Sequence, residues 1–529
     1  MKRRGTKVAT VALVALMATA CGSSGGKKAA SGTASTVSAG QPKRGGTLNV
    51  GQFSPLSTFD PAQQSINNGE FGAIYGDLMH YDLQANHYVG DLALSATPNS
   101  DDTVWTVKLR PNVTFTDGTP FNAQAVVTNF TRDMKPTSGS PAQGELNAFV
   151  KSMAMTDDLT IVFTLKVALA DFQFVLADYP TSIAAPSFLS QVDAGNKTAT
   201  PVGAGPFKLT TFRPNEVIIL SANPGYYDGA PYLDGLKFTY VAGGPATYQS
   251  FQTGQIQFAV INDLQTEKQV LNDKVSHQGR FSDINNALLI NNRPKASSGG
   301  SVMSDVRLRL AVAAAFNEDT YNQRVYQGLG EANNELFPPG SKWNSPSMKG
   351  PAYDLNKAKQ LVAQVKQDTG WDGSVTFVCS NSPDSANVPL AVKSMLDPVG
   401  FNVKINNSLN IGEFITDVIV HPAYDLACWG LSLPDYDPVA DLYRTYHSGS
   451  QGNFGQFSSP DMDAALEQMA KATTDSSLRA ALAHFNDVWN ATIPWVNIAP
   501  GQFQTIWQSN VHGITPVGGL VSFAKVWLS

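Results

Sequence analysis

Charge is scarce in this sequence. Only 15% of its 529 residues are Asp, Glu, Lys or Arg, against roughly a quarter in an ordinary soluble domain, and the formal balance is −6. Four of the cations, Lys2, Arg3, Arg4 and Lys7, stand in the first 20 residues, which hold no acid, so the rest of the chain carries −10. No basic field is left to attract phosphate, which excludes nucleic acid as a partner. Histidine is sparse too. His80, His87, His277, His421, His447, His484 and His512 form no H-x-x-H or H-E-x-x-H spacing, so no metal and no other cofactor is expected. There is no phosphate loop: Gly203-x-Gly205 lacks a third glycine and runs into Pro206 where a helix would have to begin. Those glycines read instead as a tight crossing between segments. Gly22–Gly26 spells G-x-S-x-G, but a nucleophile elbow needs a strand before it and a helix after it, and this stretch has neither. Without a catalytic constellation the chain reads as a binder, not an enzyme.

What is present is length and punctuation. A chain of 529 residues exceeds one core and implies two or three domains, and 44 Gly with 31 Pro imply many turns. Lys2–Lys7 is a basic start, and Val8–Ala20 an apolar run of 13 residues, too short to span a bilayer comfortably but right for an export signal. Ala18 and Ala20 precede Cys21, and here the chain resembles a bacterial lipoprotein signal, which implies cleavage before Cys21 and lipid on its sulfur. The alternative is a free cysteine after an ordinary signal peptide. Gly22–Arg44 has no aromatic and almost no large apolar residue, so it cannot bury enough surface to fold. As a coil its reach is roughly 25 Å, a tether between membrane and folded part.

Beyond it, Gly45–Gly51 reads as a first strand, Tyr75–Asp82 as a helix ending in a turn, and Thr103–Arg110 and Leu159–Leu165 as strands. Thr116–Pro120 holds an Asp-Gly turn, and Asn122 can cap a helix through Val126, Val127 and Phe130. In Asp305–Phe316, Val306, Leu310, Ala313 and Ala314 share one face, with Asp305 and Arg309 able to pair one turn apart. Asp354 caps a helix stopped by Gly370, and Ser459-Pro460 opens another. Between these helices lie short apolar strands at Val375–Cys379, Phe401–Ile405 and Leu426–Trp429, an alternation that argues for a wound α/β lobe.

The segments R-G-G-T-L-N-V, T-F-D-P, W-T-V-K-L-R-P-N-V-T-F-T-D-G-T-P-F, P-V-G-A-G-P-F-K-L and N-P-G-Y-Y-D-G-A-P-Y-L come in this order. With the helix pair at Asp305–Gly328, the helix at Tyr353–Gly370 and the stretch Trp429–Pro438, the chain resembles the extracellular solute-binding proteins of family 5 over residues 45–529. These are peptide- and nickel-binding receptors of bacterial ABC importers. The resemblance implies a two-lobed α/β fold of the periplasmic-binding-protein type II kind with an extra subdomain in lobe one. The implied division is a signal at 1–20, a tether at 21–44, lobe one at 45–292 with the insertion at about 91–200, lobe two at 293–498, and a return to lobe one at 499–529. The implied partners are a peptide or other small solute and a membrane permease with its ATPase, with the protein acting as a monomer on the outer face of the cytoplasmic membrane.

The centre of interest is Asp425–Pro438, D-L-A-C-W-G-L-S-L-P-D-Y-D-P. A buried strand there opens into a loop that sets carboxylates among aromatic rings, an arrangement suited to gripping a cationic or hydrogen-bonding ligand. By the resemblance, a carboxylate after the cleft tryptophan meets a peptide's ammonium group. Counted from the D-P pair that role falls to Asp435; counted from Trp429 it falls on Ser432. Trp429 and Tyr436 would be walls, and Asp437 either a ligand contact or a turn residue. Arg444 and His447 could meet a ligand carboxylate or simply be solvated, and Phe59 could face the cleft or pack in the core. A sugar would instead stack on Trp429, Tyr436 and Trp343; a nickel chelate, another small solute or a secreted hydrolase remain alternatives. In an exported protein Cys379 and Cys428, each at the end of an apolar strand, can form a disulfide or remain two buried thiols.

Overall fold

The expected alternation of strand and helix builds a mixed sheet of ten strands. The computed structural model describes residues 41–529 apart from 53–55, 64–68, 84, 136, 139, 141, 178–181, 262, 276–277, 383–384, 451 and 518–519. It gives the backbone alone at 278–285, 411, 432, 499–503, 516–517 and 520. In the sheet the strands run in the order Asn402–Leu409, Ser374–Ser380, Leu426–Ser432, Gln278–Ile290, Trp495–Trp507, Phe258–Ile261, Thr47–Gln52, Gly235–Tyr240, Val217–Ala222, Phe207–Arg213. The two central strands, 13 residues each, pair antiparallel along their length as a ribbon. Three strands lie on one side of the ribbon and five on the other, giving two half-sheets, each with its own helices: a two-lobed α/β architecture.

The register fixes where a ligand can go. Leu426–Ser432 runs along the ribbon from Ile290 towards Ile284, so its carboxyl end points to the ribbon's middle. Phe258–Ile261 runs along the other edge from Trp507 towards Gln504, so its carboxyl end also points to the middle. The pairing of the ribbon itself slips between Phe281 and Ile284, where Ile284 faces Gly501. Ligands of open α/β sheets sit beyond the carboxyl ends of strands, and here the carboxyl ends of both half-sheets converge on one register break.

Two smaller sheets flank this frame. Met79–Asp82 and His87–Gly90 form a hairpin that continues through Thr515–Val517 to Leu520–Ser522. Ala93–Pro98, Val104–Leu109, Thr160–Leu165 and Val150–Asp157 form a separate antiparallel layer, packed by helix Ala123–Asp133 through Phe130 against Phe163, ring centroids 5.5 Å apart.

Local signals hold where the chemistry is local. Asn122, Asp354 and Ser459 cap their helices through side-chain oxygens, and Gly370 takes the left-handed stop with φ +69°. The Asp-Gly turn forms with Gly118 at φ +85°, and Asp117 Oδ1 accepts from the Thr119 amide. A Cβ on Gly203 would stand 2.2 Å from the Ile74 carbonyl oxygen and one on Gly205 2.6 Å from that of Ala73, which is the tight crossing their spacing suggests. Since Asp354 accepts from both Asn356 N and Lys357 N, Asp354→Ala should cost about 1 kcal/mol in urea unfolding.

Three readings need correction. Helix Gly69–Tyr75 ends where Tyr75–Asp82 was to be helical, and Met79–Asp82 is a strand, because it finds a hairpin partner in His87–Gly90. Val306 is 37% exposed, while Leu308, Ala311, Val312 and Ala315 turn inward with Ala313 and Ala314. Asp305 pairs with Arg307 at 2.8 Å rather than with Arg309. Arg309 is buried instead, over the Phe457 ring and donating to the carbonyls of Thr492, Met303 and Ser304, because three inward-facing carbonyls hold a guanidinium better than one surface carboxylate.

Candidate functional site

The strand expected over Leu426–Trp429 continues three residues further, to Ser432, and delivers the loop 433–437 to the convergence point. Asp435 is tied down there by a turn some 90 residues earlier in the chain. Its Oδ1 accepts from the Ser341 hydroxyl at 2.5 Å and its Oδ2 from the Lys342 amide at 3.2 Å. Its carbonyl accepts from Trp343 Nε1 at 2.8 Å. The Trp343 ring is buried and takes Arg479 and Lys342 over its plane, 5.1 and 4.7 Å from the ring centre.

Tyr436 stacks on Tyr81 of the hairpin, centroids 4.7 Å apart. Asp437 caps helix Pro438–Tyr446, its Oδ1 accepting from Val439 N, while its Oδ2 accepts from the buried Tyr88 hydroxyl at 2.9 Å. It is thus a turn residue that also reaches across to the hairpin strand His87–Gly90. Burial, then the charge of Asp171, push its carboxyl up to about 8. Further contacts join the same two faces: Phe149 meets Tyr443 at 4.4 Å, and the Ala170 amide donates to the Ala470 carbonyl at 3.1 Å.

Between these faces lies a cavity of about 270 Å³, near the small end of ligand pockets. Asp102, Asp171 and Phe174 line it from the antiparallel layer, and Tyr436, Asp437, Lys342 and Asp475 from the other side. Asp437 holds its proton to about pH 8, which leaves the carboxyls of Asp102, Asp171 and Asp475 against one ammonium and still makes the cavity a place for positive charge.

The other expected residues are placed differently. Trp429 is half-buried between Phe414 and Phe454, at 5.8 and 5.5 Å. The side chain of Ser432 lies outside the described atoms, and Cys21 outside the described residues. Arg444 pairs with Asp441 on its own helix, and His447 stacks flat on Tyr443 at 4.4 Å, so both have partners within the protein. Phe59 is a core residue, 5% exposed, edge-on to Phe212 at 4.8 Å; the burial of an aromatic ring against two others outweighs a place in the cleft. Cys379 and Cys428 oppose each other where the parallel pairing of Phe377 with Leu426 and Val378 with Ala427 carries on, their Cα atoms 5.0 Å apart, inside the range a disulfide needs. Tyr81, Tyr88, Asp171, Ser341 and Lys342 carry no mark in the sequence, whereas Trp343 is the residue set out as a candidate sugar wall. Among the described residues no cluster of His, Cys, Asp or Glu has metal-binding geometry, and no helix is long and apolar enough to cross a membrane.

A family model described as bacterial extracellular solute-binding proteins, family 5 Middle, matches residues 87–453. The chain is 27% identical over 463 residues to the probable D,D-dipeptide-binding periplasmic protein DdpA of Escherichia coli strain K12, covering 82% of this chain and 84% of that protein. In structure it is similar to the ABC transporter-associated periplasmic binding protein DppA of Helicobacter pylori in complex with the peptide STSA. The TM-score is 0.78 at 24% identity, over 92% of this chain and 98% of that one. It is similar as well to the binding protein AgaA of A. tumefaciens R10 in complex with agropinic acid, with a TM-score of 0.79 at 20% identity, over 92% and 99%. These likenesses show the fold, the two-lobed type II architecture of periplasmic binding proteins.

Proposed function

Because the chain belongs to the bacterial extracellular solute-binding proteins of family 5, we propose that it is the receptor of an ABC importer. It captures dipeptides or oligopeptides between its lobes and delivers them to a membrane permease and its ATPase. The observation that carries this reading is the acid-lined cavity beside the loop 433–437, which follows the carboxyl end of strand Leu426–Ser432. An excess of carboxyls suits the ammonium end of a peptide. A sugar would need open aromatic faces, and Trp429, Tyr436 and Trp343 each already have ring or cation partners. A receptor must also let go, so micromolar affinity, about 8 kcal/mol, fits the task.

In this reading the lobes divide at about 292 and 498, the insertion spans about 91–200, and 499–529 return to lobe one. Residues 1–20 are removed, Cys21 carries lipid, and 22–44 tether a monomeric receptor to the outer face of the cytoplasmic membrane. Cys379 and Cys428 form a disulfide. Thermal-shift screening against peptide, sugar and metal-chelate libraries tests the ligand class. A peptide at a hundred times its dissociation constant should stabilise the fold by about 2.7 kcal/mol; stabilisation by sugars or chelates alone would replace the peptide reading.

A further inference from the structure

Tyr88 and Asp437 are 349 residues apart in sequence and, in the lobe division proposed above, lie on opposite lobes, yet they share one buried hydrogen bond of 2.9 Å. Tyr88 stands on the hairpin strand His87–Gly90 and is 9% exposed; Asp437 begins helix Pro438–Tyr446 and is 8% exposed. Tyr81, from the paired strand, meets Tyr88 edge-on at 5.0 Å and stacks on Tyr436, the neighbour of Asp437. The hairpin therefore grips the loop 435–437 by one hydrogen bond and one ring stack. The same loop holds the Ser341–Trp343 turn through Asp435. Whatever holds the loop to the hairpin thus also holds the cavity wall in place.

We propose that Tyr88 is a positioning residue, the first-lobe half of a latch on Asp437 that holds the two lobes together and sets how readily they part.

The latch is protonic as well as geometric. In the joined arrangement burial and Asp171 push the Asp437 carboxyl up to about 8. Exposed to water on parting, it returns to the ordinary carboxylate range near 3.9. Joining the lobes therefore takes up a proton between roughly pH 4 and pH 8. The contribution of this group to the joined form is fully present below about pH 4 and is lost as pH rises through about 8. The groups facing it are Tyr88 and Tyr81 from the hairpin, Asp171 from the antiparallel layer and Tyr436 from its own loop. Asp102, Asp475 and Lys342 share the cavity. The single cation among them is outnumbered, and the hydrogen bonds from Tyr88 and from the Val439 and Ala440 amides, which favour the charged form, are outweighed by burial and the charge of Asp171.

The inference rests on the receptor reading only in taking the lobes to be separable. Small-angle X-ray scattering of the full mature chain, without added peptide, reads the ratio of joined to parted lobes directly, so a wrong ligand class would leave it standing. In Tyr88→Phe, which keeps the ring and its contact with Tyr81, that ratio at pH 7 should fall about fivefold, the loss expected of one hydrogen bond. In Asp437→Asn the single amide oxygen can accept from either Val439 N or the Tyr88 hydroxyl, not both, and the group no longer titrates. The ratio should lose its dependence on pH between roughly 7 and 9, above the range in which Asp171, raised to about 6, takes up its own proton, while the wild type shifts towards parted lobes as pH rises. A residue serving only stability would lower the melting temperature of Tyr88→Phe and leave the ratio unchanged. Three results overturn the latch: a Tyr88→Phe protein scattering as the wild type does, an Asp437→Asn protein that keeps the wild-type pH response, or a wild type with parted lobes at every pH.

Discussion

Reduction of the Cys379–Cys428 bridge is expected to lower the unfolding free energy by roughly 4 kcal/mol. The two positions are 49 residues apart, and closing a loop of that length removes about 14 cal/mol/K of entropy from the unfolded chain in the chain-entropy account. Strand pairing, not the bond, brings the sulfurs together: Val378 already faces Ala427, so the next pair along lies in register. The bond then fastens the strand Ser374–Ser380 to its neighbour Leu426–Ser432, the strand whose end carries the binding loop. Cys379 is 0% exposed, so reductant should act slowly until the lobe opens locally. For a chain of this size the unfolding entropy is about 1 kcal/mol/K, which makes the loss a fall of roughly 4 °C in calorimetric melting temperature on full reduction. A count of titratable thiols before and after reduction provides the control. Two reactive thiols in unfolded protein that never met reductant would mean that the bond does not exist, and the melting shift should then vanish too.

The sequence was informative where a residue's job is decided within one turn of itself. Asn122, Asp354, Ser459 and Gly370 cap or stop helices through contacts two to four residues away, and such signals survive without any knowledge of the fold. Gly203 and Gly205 were legible because a missing side chain can only mean closeness or an unusual turn, and the Ile74 and Ala73 carbonyls supply the closeness. Arg309 shows where this stops. Its spacing from Asp305 promised a surface pair, but the carbonyl of Thr492, 183 residues on, draws it inward. Phe59 packs among the rings of Phe71 and Phe212, and Arg444 pairs with Asp441 one helical turn away, contacts that their local sequence did not announce. At the site, the loop around Asp435 could be found from its strand-to-turn pattern. Its partners Tyr81, Tyr88, Ser341 and Lys342 carry no local signature, and Trp343 stands out only as an aromatic ring, because nothing in their own neighbourhoods says which distant loop they will meet.

Asp435 is the residue on which the binding reading can be tested most sharply, because it has two possible jobs that two substitutions separate. Its carboxylate accepts from Ser341 and Lys342, and its carbonyl from Trp343. Alanine removes the side-chain acceptors and leaves the backbone one. Asparagine retains one acceptor oxygen and removes the charge. If the carboxylate only anchors the turn, Asp435→Ala should lose about 1–2 kcal/mol of stability, Asp435→Asn clearly less, and peptide affinity should follow loop order rather than charge. If it also meets a peptide ammonium in a water-poor cavity, both variants should weaken binding by at least roughly 2 kcal/mol, a factor of about 30 in calorimetric dissociation constant, whatever their stability. The second outcome is the expected one. The cavity beside it already holds more carboxyls than cations, and the Ser341 and Lys342 contacts leave lone pairs on each oxygen for a further donor. An Asp435→Asn protein of wild-type affinity would confine Asp435 to the turn and leave the ligand's charge to Asp102, Asp171 or Asp475.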